Sequence, residues 1–358
     1  MSAKTVLMMA GGTGGHVFPA LSVAELLQAR GYKVEWLGAE QGIENRLVPA
    51  AGLTLHALKV RGVRGGGLVR KLAMPLQLLR AVLAARQVLR STDAKLAVGF
   101  GGFASGPGGL AARLSGVPLL IHEQNAVPGL TNRVLARAAT QVLEAFDGAF
   151  PAGAATAVGN PVRQSIASLP VPAQRYGERD GALRVLVLGG SQGALALNRQ
   201  LPAVLAQLFE REPVIIRHQA GRGRREEAER AYQTAGLHAA VDEFIDDMAA
   251  AYGWADLVIC RAGASTVSEV AAAGVAAVFV PLPSAVDDHQ THNARWLVSR
   301  DAAVMVAQQD LSAATLQQRL AGRLQRTALA ELATAARAQA QAHSAERVAD
   351  LCEEVLRD

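Results

Sequence analysis

The sequence predicts an α/β protein of two Rossmann-like domains, each with a parallel sheet, facing a central cleft. Three observations carry this. Short runs rich in Val, Ile and Leu alternate with Ala-rich helical segments, the rhythm of a parallel sheet with helices on both faces. A strand–Gly–Gly–hydroxyl–Gly–helix pattern occurs twice, as MMAGGTGGH at 8–16 and LVLGGSQGA at 186–194, about half the chain apart. The length of 358 residues suits two domains of ordinary size.

Taken in order, the strand-like runs of the first half are 5–10, 34–37, 53–60, 96–100 and 119–122. Helical patterns lie between them at 19–30, 69–90 and 130–138. After 159–180, which holds Pro161, Pro170 and Pro172 and lacks periodicity, the rhythm resumes with 184–188, 214–218, 241–245, 257–260 and 277–280. That middle stretch reads as a linker. The expected domains are 1–162 and 163–340, with 341–358 a terminal helix able to return to the first. Ligands of such folds bind at the carboxyl ends of the strands.

Composition narrows the function. Two cysteines, Cys260 and Cys352, build neither a disulfide framework nor a cysteine-based zinc site. No run reaches the ~18 apolar residues of a membrane span, and the longest, 270–282, is broken by Gly274 and Pro281. The N-terminus enters a strand within a few residues, leaving no room for a signal segment, so a soluble, cytoplasmic chain is expected. The net charge of +5 hides an asymmetry. The first 150 residues hold 16 Lys and Arg against 8 Asp and Glu, and 45–92 holds nine basic residues and no acid. Such a surface attracts anions. With aromatics at 4%, base stacking is poorly served and nucleic acid is not the expected partner.

A glycine turn opening a helix presents backbone N–H groups to a phosphate or sugar oxygen, although the same turn can simply be tight and empty. Neither turn is a dinucleotide fingerprint or a Walker loop. The second also spells G-x-S-x-G at Gly189, Ser191 and Gly193, the nucleophile elbow of hydrolases, with Asp256 or Asp287 and His289 downstream. Duplication argues against it, because Thr13 stands in the first turn where Ser191 stands in the second. His16 follows the first turn and suits a general base, or else caps or packs. In HEQN, 122–125, four polar residues leave an apolar strand; Glu123 reads as an acid/base or as an ion-pair partner. At CRAGASTVSE, 260–269, a third strand–loop–helix junction puts Glu269 where it can accept ribose hydroxyls or merely favour the helix dipole. Gln290 and Asn293 open another helix. The pairs Asp246–Asp247 and Asp287–Asp288 lack D-x-D spacing, so no metal is expected. In the basic stretch, Leu72, Leu76, Leu79 and Leu83 form one helical stripe. It reads mainly as core-facing, with Pro75 kinking or starting the helix; the missing acids favour a membrane-surface role in addition for Arg70, Lys71, Leu76, Leu79, Arg80, Leu83 and Arg86.

GGTGGH (11–16), GGFASGP (101–107), HEQN (122–125), GNPVR (159–163), GGSQGA (189–194), FIDDM (244–248), GASTVSE (263–269) and the HQ..NA run (289–294) together resemble the MurG family of bacterial peptidoglycan N-acetylglucosaminyltransferases, in order over nearly the whole chain. The resemblance implies a GT-B fold and inverting transfer of N-acetylglucosamine from UDP-N-acetylglucosamine to the C4 hydroxyl of the N-acetylmuramyl unit of lipid I. The products are lipid II and UDP. No cofactor is implied, and the enzyme is peripheral on the cytoplasmic face of the inner membrane. Donor contacts carried over by motif are Thr13, Gly14, Gly15, Asn125, Arg163, Ser191, Ile245 by its backbone, Ala264, Ser265, Thr266, Val267, Ser268, Glu269 and Gln290. The acceptor pyrophosphate is expected against the N-terminal glycine turns, with Gly102, Phe103, Ser105 and Gly106 as acceptor contacts. Phe103 departs from the Tyr common there. His16 and Glu123 compete for the role of base. A UDP-N-acetylglucosamine 2-epimerase of the same fold and a Ser191 hydrolase are the alternatives.

Overall fold

The structure, a computed structural model, describes residues 3–59, 68–190, 193–320, 322–341 and 343–357, with the backbone alone for 68–74. It divides into two compact units, Met1–Arg163 with His343–Asp358, and Gln164–Ala342.

The first unit is a seven-stranded parallel sheet in the order β3-β2-β1-β4-β5-β6-β7. The strands are β1 Thr5–Ala10, β2 Lys33–Ala39, β3 Thr54–Leu58, β4 Ala94–Gly101, β5 Leu119–Glu123, β6 Gln141–Glu144 and β7 Thr156–Ala157. The second is a six-stranded parallel sheet ordered β10-β9-β8-β11-β12-β13. Its strands are β8 Leu183–Leu188, β9 Val214–Gln219, β10 Ala239–Asp242, β11 Leu257–Cys260, β12 Ala276–Phe279 and β13 Val304–Met305. Two Rossmann-like units are therefore present, as the alternating pattern led us to expect. In each, the chain order reverses beside the first strand, between β1 and β4 and between β8 and β11. Doubly wound sheets bind ligands at such switch points, and both glycine turns stand there.

β1 is buried along its whole length because both faces of the sheet are covered. Val6 and Met8 belong to a core with Val17, Leu27 and Trp36, whereas Leu7 and Met9 point into another with Val82, Leu89 and Leu135. The Ser344–Arg357 helix closes the first of these cores with Val348, Leu351 and Leu356, and Asp350 pairs with Arg30 at 2.8 Å. The helices Ala313–Arg319 and Arg326–Ala338 stay with the second unit.

Two expectations are corrected. The proline-bearing stretch read as a linker carries helices at Gln164–Ala167 and Pro172–Gly177. Tyr176 lies in the second core, its hydroxyl donating to Asp256 O at 2.7 Å and accepting from Ala276 N at 3.1 Å. A few long anchoring side chains fasten this segment, and they leave no periodic signal. The second correction concerns the Leu68–Ser91 helix, which runs on through Pro75. The stripe read as core-facing lies outward: Leu76, Leu79 and Leu83 are 51–54% exposed, while Ala81, Val82, Ala85 and Leu89 are buried. Among the described residues, no helix is long and apolar enough to cross a membrane.

Candidate functional site

In the first unit, the ends of β1, β4 and β5 bring most of the expected N-terminal residues together. Gly12 takes φ +88°, which turns the chain out of β1, and Thr13 precedes the Gly14–Ala29 helix in extended conformation without capping it by its side chain. Thr13 is exposed, with Gly14 and Gly15 following in the first helical turn. Beneath the turn lies a residue that the sequence did not single out. The carboxylate of Glu44 is fully buried and accepts from Gly12 N at 2.9 Å and Ala39 N at 3.2 Å. A Cβ at 11 or 42 would displace this carboxylate from its place. The three glycines and the hydroxyl drew attention to the turn, and nothing local announced its acid.

The loop after β4 closes on the first turn. Gly101 and Gly102 take φ +97° and +87°, and a Cβ at Gly102 collides with the Gly11 carbonyl. Ser105, expected as an acceptor contact, is fully buried, and its hydroxyl bridges Met9 O at 2.8 Å and Gly101 O at 2.7 Å. Its side chain therefore locks the loop, and Gly102, Gly106 and the exposed Phe103 are the more accessible positions beside it.

His16 Nδ1 lies 2.9 Å from the Phe100 carbonyl oxygen, and Gln124 Nε2 donates to the same oxygen at 2.9 Å. Glu123 has a different task from the one its position suggested. Its Oε1 accepts from Asn125 N at 2.9 Å and Asn125 Nδ2 at 3.2 Å, and its Oε2 from Gly129 N at 3.0 Å and Asn132 Nδ2 at 2.9 Å. Four donors occupy the lone-pair positions of a carboxylate, and the residue is buried, so Glu123 shapes the 124–129 loop and is poorly placed to take a proton from an acceptor. His122 is stacked on Phe100 and bonded through Nε2 to Gly159 O at 2.8 Å; burial pushes its pKa down to about 4, so it stays neutral. The Arg163 guanidinium sits 5.2 Å from the centre of the Phe18 ring.

In the second unit, Gly189 N donates to Gln219 O at 3.1 Å and Gly193 N to Gly190 O at 2.9 Å. Ser191 lies outside the described residues. Behind the turn runs a buried chain of neutral groups: Tyr232 OH donates to His218 Nδ1 at 3.0 Å, His218 Nε2 to Asn198 Oδ1 at 3.1 Å, and Asn198 Nδ2 to Ala220 O at 3.0 Å. Burial pushes the His218 pKa down to about 4. Ala264, Ser265, Thr266, Val267, Ser268 and Glu269 form the first turns of the Ala264–Ala273 helix. Val267 is fully buried, with its N–H donated to Gly263 O at 3.0 Å, and Ile245 is likewise buried. Glu269 Oε2 accepts from Tyr252 OH at 3.1 Å. Gln290 Oε1 ties two strand ends together, accepting from Ala262 N at 3.3 Å and Leu282 N at 3.0 Å. Arg261, also missed, pins the end of β12 through Val280 O at 2.9 Å and Pro281 O at 3.1 Å. Of the two acids the hydrolase reading offered, Asp256 is taken: it is fully buried between Arg179, at 2.5 Å, and Arg326, at 3.2 Å.

Comparison with known proteins agrees over the full length. The model of the glycosyltransferase family 28 N-terminal domain matches residues 6–144, and that of its C-terminal domain matches 184–352. The chain is 62% identical over 351 residues to the UDP-N-acetylglucosamine--N-acetylmuramyl-(pentapeptide) pyrophosphoryl-undecaprenol N-acetylglucosamine transferase of Alcanivorax borkumensis, covering 98% of each. The transferase of the same name from Chromohalobacter salexigens is 54% identical, covering 99% of this chain and 97% of that one. The crystal structure of Acinetobacter baumannii MurG matches with a TM-score of 0.85 at 46% identity, covering 98% of this chain and 99% of that one.

Proposed function

The chain belongs to glycosyltransferase family 28 and has the GT-B fold, and on that premise we propose that it moves N-acetylglucosamine from UDP-N-acetylglucosamine to the C4 hydroxyl of the N-acetylmuramyl-(pentapeptide) pyrophosphoryl-undecaprenol acceptor, lipid I. The observation that carries this reading is the end-to-end identity to transferases bearing that name. The epimerase and hydrolase alternatives have no such support.

The reaction is a single displacement. His16 takes the acceptor C4 proton while that oxygen attacks C1 of the donor sugar. The bond from C1 to the diphosphate oxygen breaks, its electron pair leaves on UDP, and C1 inverts. The protonated imidazole then returns its proton to solvent. His16 is favoured over Glu123 because the carboxylate is saturated by loop donors. The Ala264–Glu269 turns, Gln290 and the Ile245 backbone are assigned to the nucleotide, with Glu269 on the ribose. Ser191 and Arg163 are assigned to the diphosphate that departs, and Thr13, Gly14, Gly15 and Asn125 to the sugar. The acceptor and the membrane surface are assigned to the N-terminal unit.

The exposed Leu76, Leu79 and Leu83, with Arg80 beside them and Arg86 farther along, form an apolar strip in a basic setting. We assign it to the anionic cytoplasmic face of the inner membrane. The Arg70 and Lys71 side chains lie outside the described residues. Flotation with anionic vesicles tests this: Leu79→Ser with Arg80→Glu should lose vesicle binding, and undiminished flotation rejects the surface. The activity is tested by UDP release with and without a lipid I analogue. Acceptor-dependent release is expected; release without acceptor, or none, overturns it.

A further inference from the structure

We infer that Gln124 is a positioning residue for the general base: with the Phe100 carbonyl it fixes the orientation of the His16 ring and which of its nitrogens carries the proton. This rests on His16 being the base, as proposed above.

A carbonyl oxygen only accepts, so the His16 Nδ1 that lies 2.9 Å from Phe100 O carries the hydrogen, and the lone pair belongs to Nε2. Gln124 Nε2 donates to the same carbonyl at 2.9 Å, using its other lone pair. The ring N–H and the amide NH2 therefore meet at one oxygen. The amide thus turns its NH2, the positive end of its dipole, toward the ring. Its Oε1 is buried with no partner among the described residues.

The sheet builds this arrangement. Phe100 is the penultimate residue of β4 and Gln124 follows β5, neighbours in strand order, so their register brings amide and carbonyl together. Gly101 leaves room for the ring, since a Cβ there stands 2.7 Å from His16 Nδ1 and 3.5 Å from Gln124 Nε2. Gln124 is 2% exposed, which shields the pair from water. The ionisable groups on the surrounding elements are Glu44 under the glycine turn, Glu123 bonded into its loop, Arg163 over Phe18 and the neutral His122.

The test is the pH profile of kcat/KM for the wild type, Gln124→Glu and Gln124→Leu, with His16→Gln as control. A carboxylate at 124 accepts from Nδ1–H and stabilises the imidazolium, so the acidic limb should move up by about 1 pH unit or more. Gln124→Leu should lower kcat by about 10–100-fold, as loss of an orienting partner does elsewhere, with the KM for UDP-N-acetylglucosamine within about twofold. An unmoved limb in Gln124→Glu, or a donor KM that rises in step with the loss of kcat, overturns the inference. Full activity in His16→Gln overturns the base assignment itself. A dead His16→Gln with an unmoved limb in Gln124→Glu leaves the base standing and removes Gln124 alone. If the variants fail to fold, 15N-histidine NMR of the wild type decides: hydrogen on His16 Nδ1 supports the inference, and hydrogen on Nε2 overturns it.

Discussion

At the first glycine turn, the Gly12 amide donates to the buried carboxylate of Glu44; at the second, a neutral chain of Tyr232, His218 and Asn198 holds the backbone from behind, and among the described residues no carboxylate bonds to the turn. Both turns follow the first strand of a parallel sheet at its switch point, and both open a helix. Their chemistry nevertheless differs. A helix N-terminus attracts anions, and Glu44 already satisfies part of that attraction at the first turn. On the reading proposed above, the leaving diphosphate is assigned to the second turn, and sugar hydroxyls and the base to the first.

The largest effect that separates the halves is kinetic. His16→Gln should lower kcat by about 10²–10⁴-fold, the usual contribution of a general base, with donor affinity by calorimetry nearly unchanged. Glu269→Ala should do the reverse, weakening donor binding by about 1–3 kcal/mol through lost ribose bonds. If His16→Gln loses donor affinity and keeps kcat, the division of labour is wrong.

Next come the glycines, where the halves should behave alike. Gly102→Ala and Gly193→Ala each force a Cβ onto a backbone carbonyl, of Gly11 and Ala220 respectively, at φ +87° and +72°. Strain and overpacking together should cost about 2–5 kcal/mol in urea unfolding. Gly12→Ala and Gly190→Ala meet nothing within 4 Å and carry only the φ penalty of about 1–2 kcal/mol. Equal costs for all four would mean that close backbone approach does not shape these turns.

Glu44→Gln comes third and should affect the first unit alone. The amide keeps one acceptor and turns an NH2 toward a backbone N–H, leaving a buried donor unpaired at about 1–3 kcal/mol. Hydrogen exchange should show faster opening of β1 and β2 with β8 and β9 unchanged. Uniform loosening of both sheets would break the contrast between the turns.

These examples also show which parts of the molecule the residues announced in advance. The glycine turns and the alternating strands were legible because each is local: φ above zero demands glycine, and a strand buried on both faces demands an apolar run. Glu44 was not, since it reaches the first turn from beyond β2, and sequence proximity says nothing of that. The stripe Leu76, Leu79 and Leu83 misled for another reason. Periodicity marks an apolar face without saying what covers it, and the buried face of this helix is made of the smaller Ala81, Val82 and Ala85 with Leu89. The bonds that hold Glu123 and Ser105 were not legible either: both Ser105 partners and two of the four Glu123 donors are backbone groups, which a sequence does not display.

The smallest expected effect tests a respect in which the halves match. Each contains one buried neutral histidine, His122 in the first and His218 in the second, both with pKa pushed down to about 4 by burial. In the unfolded chain a histidine titrates near its ordinary value of about 6.5. Between the two values the unfolded state binds the proton and the folded state does not, so the stability present above pH 6.5 is lost as the pH falls toward 4. Each histidine should remove about 1 kcal/mol per pH unit across that window, and two acting in one cooperative transition should double the slope. Urea unfolding at pH 6.5 and 5.5 measures it, with His122→Asn and His218→Asn each expected to halve the dependence. A slope that survives both substitutions would move the acid sensitivity to other groups. A slope abolished by either one alone would mean that the two units do not share it.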